Sequence, residues 1–344
     1  MPRPPSPTIK DVAARARVSV ATVTNVLHGR CGRFSGETEE AVRRAIVQLG
    51  YRPNEVARTL VRRRSDTLAV VLDHLGESLM QNPYFSMLFD GFLFAAIERG
   101  YQVKTVALPG RDMDSIRRHT EDGSVDGAML AAPKVASPLL DWVECCSLPC
   151  VVAGMIPASA RVSCADVDDE GAVHEAVRWL VSLGHRRIGL IGGPPDYWSA
   201  RQREVGYRRA LRDSGIDPPA SWLGRGDFST ESGRRAVLPL MAVRPALTAV
   251  LCCNDWMALG ALEALRRQGI RVPDDLSIVG FDDAEAAHVA HPPLTTIRQP
   301  VREIGARAAD ILIRQVEQGC GAPERVVFPG VLVRRESAAR PGAR

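Results

Sequence analysis

The sequence predicts an α/β protein in two parts, an N-terminal all-α helix-turn-helix headpiece followed by a two-lobed core of parallel sheets. Three observations predict it. Residues 8–27 read as two short helices with a tight turn between them, and from Thr67 onward strands and helices alternate in two successive runs. The charge is also divided: residues 1–65 hold thirteen Lys/Arg against five Asp/Glu, a balance of +8, while the rest of the chain carries −4 within an overall +4. A basic head on a mildly acidic body suits a polyanion partner bound through phosphate neutralisation.

In the stretch TIKDVAARARVSVATVTNVL, Ile9, Val12, Ala13 and Ala16 recur at helical spacing. Arg17 and Val18 break the period, and Ser19 restarts it as an N-cap, with Val23, Val26 and Leu27 on the next apolar face. Val20, Ala21, Thr24 and Asn25 then point away from that face, where a reading helix presents side chains to the major groove. An ordinary helical hairpin would share the pattern. Residues 1–7, with four prolines, are expected to be disordered. Ser35 opens a third helix with an acidic first turn (Glu37, Glu39, Glu40) and an apolar stripe (Ala41, Val42, Ala45, Ile46, Leu49), which Gly50 stops. The headpiece so defined spans 8–53.

Residues 54–65 form a linker. The segment EVARTLVRR is too short to be stable alone as a helix, and Leu60 has no core to join. It is placed to wedge between base steps in a minor groove while the flanking arginines, Arg58 and Arg62 among them, meet phosphates. A basic solvated linker is the alternative.

The core, 66–340, alternates regularly. TLAVVLD, YQVKTVAL, VDGAMLAA and LPCVVAG read as strands separated by helices over 84–99, 113–119 and 138–145. RRIGLIGG, LTAVLCCN and LSIVGFDD repeat the pattern with helices over 170–183, 201–214, a helix end at 238–242, and 257–268. Continuous apolar strands joined by helices imply buried parallel sheets, so two such runs imply two lobes. A last helix over 302–316 and an extended VVFPGVLV would cover both. Open parallel sheets bind ligands beyond the carboxyl ends of their strands, where Asp73, Gly154, the loop 192–203, Asn254-Asp255 and Asp282-Asp283 fall.

Other classes are disfavoured. No apolar run reaches membrane-spanning length and MPRPPSP lacks the hydrophobic segment of a signal peptide, so a cytoplasmic, nucleoid-associated protein is expected. The eight cysteines, without any CxxC, read as small core residues rather than redox or zinc groups. Gly192-Gly193 lacks dinucleotide-fingerprint spacing, and His185, read as a cap, and His288 and His291 have no paired nucleophile. No catalytic residue, metal site or cofactor is expected. A transport-type sugar-binding protein and an α/β enzyme acting on sugars are the rival classes; the basic headpiece counts against the first and the missing general base against the second.

Six segments in order resemble the LacI/GalR family of bacterial transcriptional regulators: IKDVAARARVSVATVTNVL, YRPNEVARTL, LGHRRIGLIGG, NDWMALGALEALRRQGIRVPDDLSIVGFDD, PPLTTIRQP and LVRRES. The resemblance implies a core like a periplasmic sugar-binding protein. Its N-lobe would be about 66–164 and 297–325 and its C-lobe about 165–294 and 326–337, with crossings near Cys164, Leu294 and Arg325. It implies a homodimer on a pseudo-palindromic double-stranded operator, repressing sugar-utilisation genes, with hinge helices formed only on DNA and Leu60 as the wedge. Val20, Ala21 and Asn25 would read bases, with Ser19, Thr22 and Thr24 nearer the phosphates or supporting the helix. Carried over position by position, the effector site would comprise Tyr84, Phe85, Ser199, Arg203, Phe228, Asn254 and Asp282, suited to a sugar or derivative; a purine or another small metabolite is the alternative. Most of the family is released from DNA by its effector.

The sequence departs from the family pattern in four places. Arg17 stands where a turn glycine is common, which implies a left-handed residue bearing a Cβ. Asn25 replaces a common arginine, favouring adenine over guanine. Gly154 replaces an aspartate that some members set against the ligand. The absence of apolar heptads after Ser337 disfavours a coiled-coil tetramer.

Overall fold

The computed structural model describes residues 7–27, 29–30, 33–51, 64–72, 83–107, 113–243 and 245–342. The expected disorder of 1–7 (apart from Pro7), most of the 54–65 linker with Arg58 and Leu60, and Asp73 lie outside the described residues. The chain divides into two compact units, 1–65 and 66–344.

In the first unit, α1 (Ile9–Ala16), α2 (Val20–Leu27) and α3 (Gly36–Leu49) close on a small core of Val12, Ala13, Val23, Val26, Val42, Ala45 and Tyr51. Each start is capped locally. The Thr8 N–H donates to Asp11 Oδ2 at 2.7 Å, and Ser19 Oγ and Ser35 Oγ accept from the Thr22 and Thr38 amides. Arg17 ends α1 in the left-handed region at φ 55°, where a Cβ costs about 1 kcal/mol. The turn survives because the Val18 amide still reaches the Ala13 carbonyl at 3.0 Å.

The second unit contains two six-stranded sheets. The N-lobe sheet runs β11-β5-β4-β3-β1-β2, from β1 (Thr67–Leu72), β2 (Gln102–Ala107), β3 (Gly127–Ala131), β4 (Cys150–Ala153), β5 (Ser163–Val167) and β11 (Arg325–Phe328), all parallel. The C-lobe sheet runs β12-β10-β9-β8-β6-β7, from β6 (Ile188–Gly192), β7 (Leu223–Arg225), β8 (Ala249–Cys252), β9 (Ser277–Asp282), β10 (Thr295–Arg298) and β12 (Val331–Val333). Only β12 pairs antiparallel there.

The helices are α4 (Pro83–Glu98), α5 (Met113–Thr120), α6 (Pro138–Cys145), α7 (Asp169–Ser182), α8 (Trp198–Asp213), α9 (Thr230–Met241), α10 (Asp255–Arg267), the short α11 (Glu285–His288) and α12 (Val301–Gln318). α12 returns to the N-lobe and lies against α4 so closely that a Cβ on Gly91 would fall inside the Arg302 backbone. Among the described residues no helix is long and apolar enough to cross a membrane.

The lobe crossings differ from the expected positions near Cys164, Leu294 and Arg325. Cys164 and Arg325 are paired to each other inside the N-lobe sheet, and Leu294 is followed by β10 in the C-lobe. The crossings fall after β5, after β10 and after β11, at Asp168, Gln299-Pro300 and Pro329-Gly330. The polar Asp166 inside SCADV hid β5, because a carboxylate in a strand ends the apolar run that signals one. His185 is a strut and not a cap: its ring, buried, bonds Thr248 Oγ1 at 2.9 Å and the Ala339 carbonyl at 2.8 Å. Nor do all cysteines serve the core; Cys150, Cys164, Cys252 and Cys253 are buried, but Cys145 and Cys320 are exposed.

Candidate reading helix and interlobe cleft

On α2 the side facing away from the headpiece core carries the expected residues. Ser19, Val20 and Ala21 are exposed, and Thr22, Thr24 and Asn25 are half-buried. All three hydroxyls are already committed: Ser19 Oγ caps the helix and shares a hydrogen bond with Thr22 Oγ1 at 2.9 Å, and Thr24 Oγ1 donates to the Val20 carbonyl at 2.9 Å. Asn25 thus retains an amide that presents a donor and an acceptor together, the pairing an adenine edge requires.

In each lobe the strand order reverses about one point. β1 and β3 diverge in the N-lobe sheet and β6 and β8 in the C-lobe sheet, so the crevices beyond their carboxyl ends face the cleft. α4 follows β1 and begins with Tyr84 and Phe85. α8 follows β6 and carries Ser199 and Arg203; Asn254 follows β8, Asp282 ends β9, and Phe228 follows β7.

Arg203 is the centre. It is 4% exposed; its Nε donates to Asp169 Oδ1 at 2.7 Å, its Nη1 to the Cys253 carbonyl, and its guanidinium lies 3.6 Å above the Phe281 ring. Burial opposes its charge, but Asp169 and Asp282 hold it protonated. Asp282 accepts from Gln299 Nε2 at 2.6 Å; burial pushes its carboxyl up to about 6 although Arg203 pulls the other way. Asp166, at the end of β5, is raised well above the usual carboxylate range by burial and then by Asp169. The Tyr84 hydroxyl is raised well above 10 by burial and then by the Asp166 charge, and it also feels Asp169, Arg203 and Asp282. These five side chains therefore form one electrostatic cluster spanning both lobes.

Three buried oxygens in and beside this cluster, Asp166 Oδ2, Asp169 Oδ2 and, on the Gln299 that bonds Asp282, Oε1, have no hydrogen-bond partner among the described residues. Orphaned oxygens of that kind cost about 1–3 kcal/mol each unless a hydrogen bond reaches them. The site thus asks for a ligand rich in hydrogen-bonding groups.

The remaining expected residues are placed differently. Asn254 Oδ1 caps α10 through the Met257 amide and its Nδ2 donates to the Phe228 carbonyl, both at 2.9 Å, so most of its amide is spent on the fold. Phe228, at φ 71°, sits edge-on to Tyr197 with centroids 5.6 Å apart. Phe85 is packed with Val70, Leu88, Phe89 and Met129 in the N-lobe core, edge-on to Tyr84 at 5.8 Å. Ser199 lies half-buried one turn before Arg203. Gly154, at φ 76°, leaves the space that Tyr84 Oη occupies: a Cβ there would come within 2.2 Å of it.

Sequence reasoning missed Asp166, Asp169, Gln299, Phe281 and a contact across the cleft. Lys134, after β3, pairs with Asp196 at 2.6 Å, forms an isolated bridge with Tyr197, and stands 5.6 Å over its ring. The Val135 amide reaches the Asp196 carbonyl at 2.9 Å, and Trp198 of the C-lobe packs into the N-lobe cluster around Met155 and Val162. The position of Gln299 in the IRQP crossing was the one signal available for it.

Comparison with known proteins agrees with both units. Residues 8–54 match the profile of the bacterial regulatory proteins, lacI family, and 177–338 that of a periplasmic binding protein-like domain. The chain is 36% identical over 341 residues, 98% of its length and 100% of the relative, to the HTH-type transcriptional regulator CelR of Thermobifida fusca. It is 33% identical to the HTH-type transcriptional repressor CytR of Escherichia coli, covering 97% of each. Among solved structures, a CelR–cellobiose complex matches with a TM-score of 0.75 at 34% identity, over 96% of this chain and 99% of that one. A lac repressor dimer bound to operator and the anti-inducer ONPF matches with 0.84 at 29% identity, over 97% and 100%. The chain belongs to the lacI family of bacterial regulatory proteins and is a DNA-binding transcriptional regulator, not an enzyme.

Proposed function

We propose that the protein is a homodimeric repressor of sugar-utilisation genes, working in the bacterial cytoplasm on the nucleoid, whose affinity for a pseudo-palindromic operator is set by a neutral polyhydroxy effector in the cleft. The observation that carries the effector class is the charge balance around Arg203. Three carboxyl groups, Asp166, Asp169 and Asp282, face one guanidinium, and the buried side-chain atoms left without a partner beside it, on Asp166, Asp169 and Gln299, are all oxygens. Hydroxyl groups, which both donate and accept, satisfy such a site whichever carboxyl holds a proton; a phosphate brings a charge that burial penalises and that meets the ionised carboxylates. That the relative CelR has been solved with cellobiose supports a neutral saccharide.

Val20, Ala21 and Asn25 would read one half-site per headpiece, Ser19, Thr22 and Thr24 would support the helix or its phosphates, and Arg58 and Leu60 would act in the minor groove. In the cleft, Tyr84, Arg203 and Asp282 would hold the ligand directly, with Phe228 and Phe85 as aromatic walls, Asn254 giving its remaining N–H and Ser199 its hydroxyl. Because Lys134–Asp196 and Trp198 join the lobes at the cleft, a ligand that changes lobe closure acts against those contacts. It shifts operator affinity only by its differential affinity for the two closures. The expected direction is release from DNA.

The test is a thermal-shift screen of the full chain against neutral mono- and disaccharides, their phosphates and purines, followed by operator binding with and without any hit. A neutral saccharide should raise Tm and lower operator affinity. A stabilising sugar phosphate whose parent sugar has no effect would refute the effector class.

A further inference from the structure

The segment CSLPC, residues 146–150, joins α6 to β4 on the side of the N-lobe sheet opposite the cleft, at the amino ends of its strands. The Cys146 amide closes α6 on the Trp142 carbonyl at 2.8 Å, and the Pro149 carbonyl accepts from Ala128 at 2.9 Å, so both ends of the turn are fixed. The turn brings Cys146 Sγ to 3.5 Å from Cys150 Sγ. Cys146 is half-buried and Cys150 is buried beneath it.

We propose that Cys146 and Cys150 are a redox-active dithiol which hydroperoxides convert to an intrachain disulfide. A disulfide needs about 2.05 Å between sulfurs, so the pair must close by about 1.5 Å, within reach of side-chain rotation. The thiols have unequal roles. The two sulfurs share a hydrogen bond, which lowers the Cys146 thiol below its usual range and, with burial, raises Cys150 well above it; the Cys146 sulfur also lies 3.5 Å from the Leu148 carbonyl. The half-exposed partner is the better thiolate, and the buried one is held against it.

The chemistry balances with a hydroperoxide as the two-electron oxidant. The Cys146 thiolate attacks the peroxide, an S–O bond forms as the O–O bond breaks, and the leaving oxygen takes a proton as water or alcohol. The Cys150 sulfur then attacks the sulfenic acid; an S–S bond forms, the S–O bond breaks, and water leaves with the Cys150 proton. The remaining described cysteines are less suited. Cys164, Cys252 and Cys253 are buried with thiols raised by burial, while Cys145 and Cys320 are exposed at neighbouring positions.

The test uses the reduced full chain, treated with hydrogen peroxide, quenched with iodoacetamide, digested with trypsin and mapped by mass. Cleavage after Lys134 and Arg161 leaves Cys145, Cys146 and Cys150 on one peptide. That peptide should lose two hydrogens and carry a single alkyl group, on Cys145, and Cys145→Ser should form the same bond. Cys150→Ser should instead accumulate a Cys146 sulfenic acid captured by dimedone. Should that variant fail to fold, the wild-type and Cys145→Ser maps decide alone. Alkylation of both Cys146 and Cys150 after peroxide, or prior oxidation of Cys145 or Cys320, would overturn the assignment.

Discussion

Arg203 and Asp169 lie 2.7 Å apart with side chains 5% and 1% exposed, so the central ion pair of the cleft is sealed from water. Such a pair adds little net stability when formed, but removing one member strands the other. Arg203→Ala should therefore lower the stability of the core by about 3–5 kcal/mol in urea denaturation, and Arg203→Met with Asp169→Asn should recover a large part of it. A loss below about 1 kcal/mol in the single variant would show that Asp169 ionisation is not held by Arg203.

Gly154→Ala adds a methyl group within 2.2 Å of Tyr84 Oη at a residue of φ 76°. The backbone contributes about 1 kcal/mol of strain, and the hydroxyl must leave its place beside Asp166. Effector affinity should fall about tenfold by calorimetry. Tyr84→Phe in the same background removes the clashing oxygen and should recover the stability lost to the clash, though not that lost to the backbone, without restoring affinity; restored affinity would mean that the hydroxyl has no part in binding.

The distribution of these residues explains what the sequence disclosed. Arg203, Asn254 and Asp282 fall among the strand-end residues that the alternation of apolar runs with helices picks out without any knowledge of contacts, whereas Tyr84, well past the end of β1, was reached only through the family resemblance. Asp169 was legible by neither route, since its meaning depends on a partner 34 residues away, and no periodicity encodes that pairing. β5 escaped because Asp166 interrupts its apolar run, and with it went the crossings, each of which falls just past a strand end. Asn254 was visible as a cleft residue, but its service as the α10 cap competes with ligand binding for the same atoms. In the headpiece the local rules sufficed, because caps and 3.6-residue spacing determine three short helices whose contacts are near in sequence.

Arg17→Gly tests the strain at the turn between α1 and α2. Glycine adopts φ 55° freely, so the headpiece should gain about 0.5–1 kcal/mol, read as slower amide hydrogen exchange in α1 and α2 of the full chain. Unchanged or faster exchange would mean that the Arg17 side chain repays the strain through contacts of its own.

Asn25→Arg tests base reading. The Asn25 side chain makes no hydrogen bond among the described residues, so its replacement should leave headpiece stability within about 0.5 kcal/mol. Operator selection should move from adenine to guanine at one symmetric position in each half-site, with discrimination of about 1–3 kcal/mol. A uniform loss across sequences would assign Asn25 to phosphate contact instead.

The acidic cluster also sets a pH dependence whose sign follows from its direction. The Asp282 carboxyl titrates at about 6 in the folded chain and Asp255 at about 8, both above the usual 3.8 because burial penalises the charge. The folded state then holds these protons more tightly than the unfolded state, so the two groups favour folding at low pH. Their contribution declines as pH rises from about 4 through 6 for Asp282 and through 8 for Asp255. Effector binding runs the other way. Hydroxyl donors prefer an ionised Asp282, so affinity should rise by at most tenfold per pH unit up to about 6 and level off above it. Calorimetry at pH 5, 6 and 7 with the effector found by screening reads this directly, and Asp282→Asn should bind weakly with no inflection near 6. An unchanged wild-type affinity between pH 5 and 7 would show that Asp282 meets the ligand as a donor, already protonated, and would reverse the expected hydrogen-bond polarity at that end of the cleft.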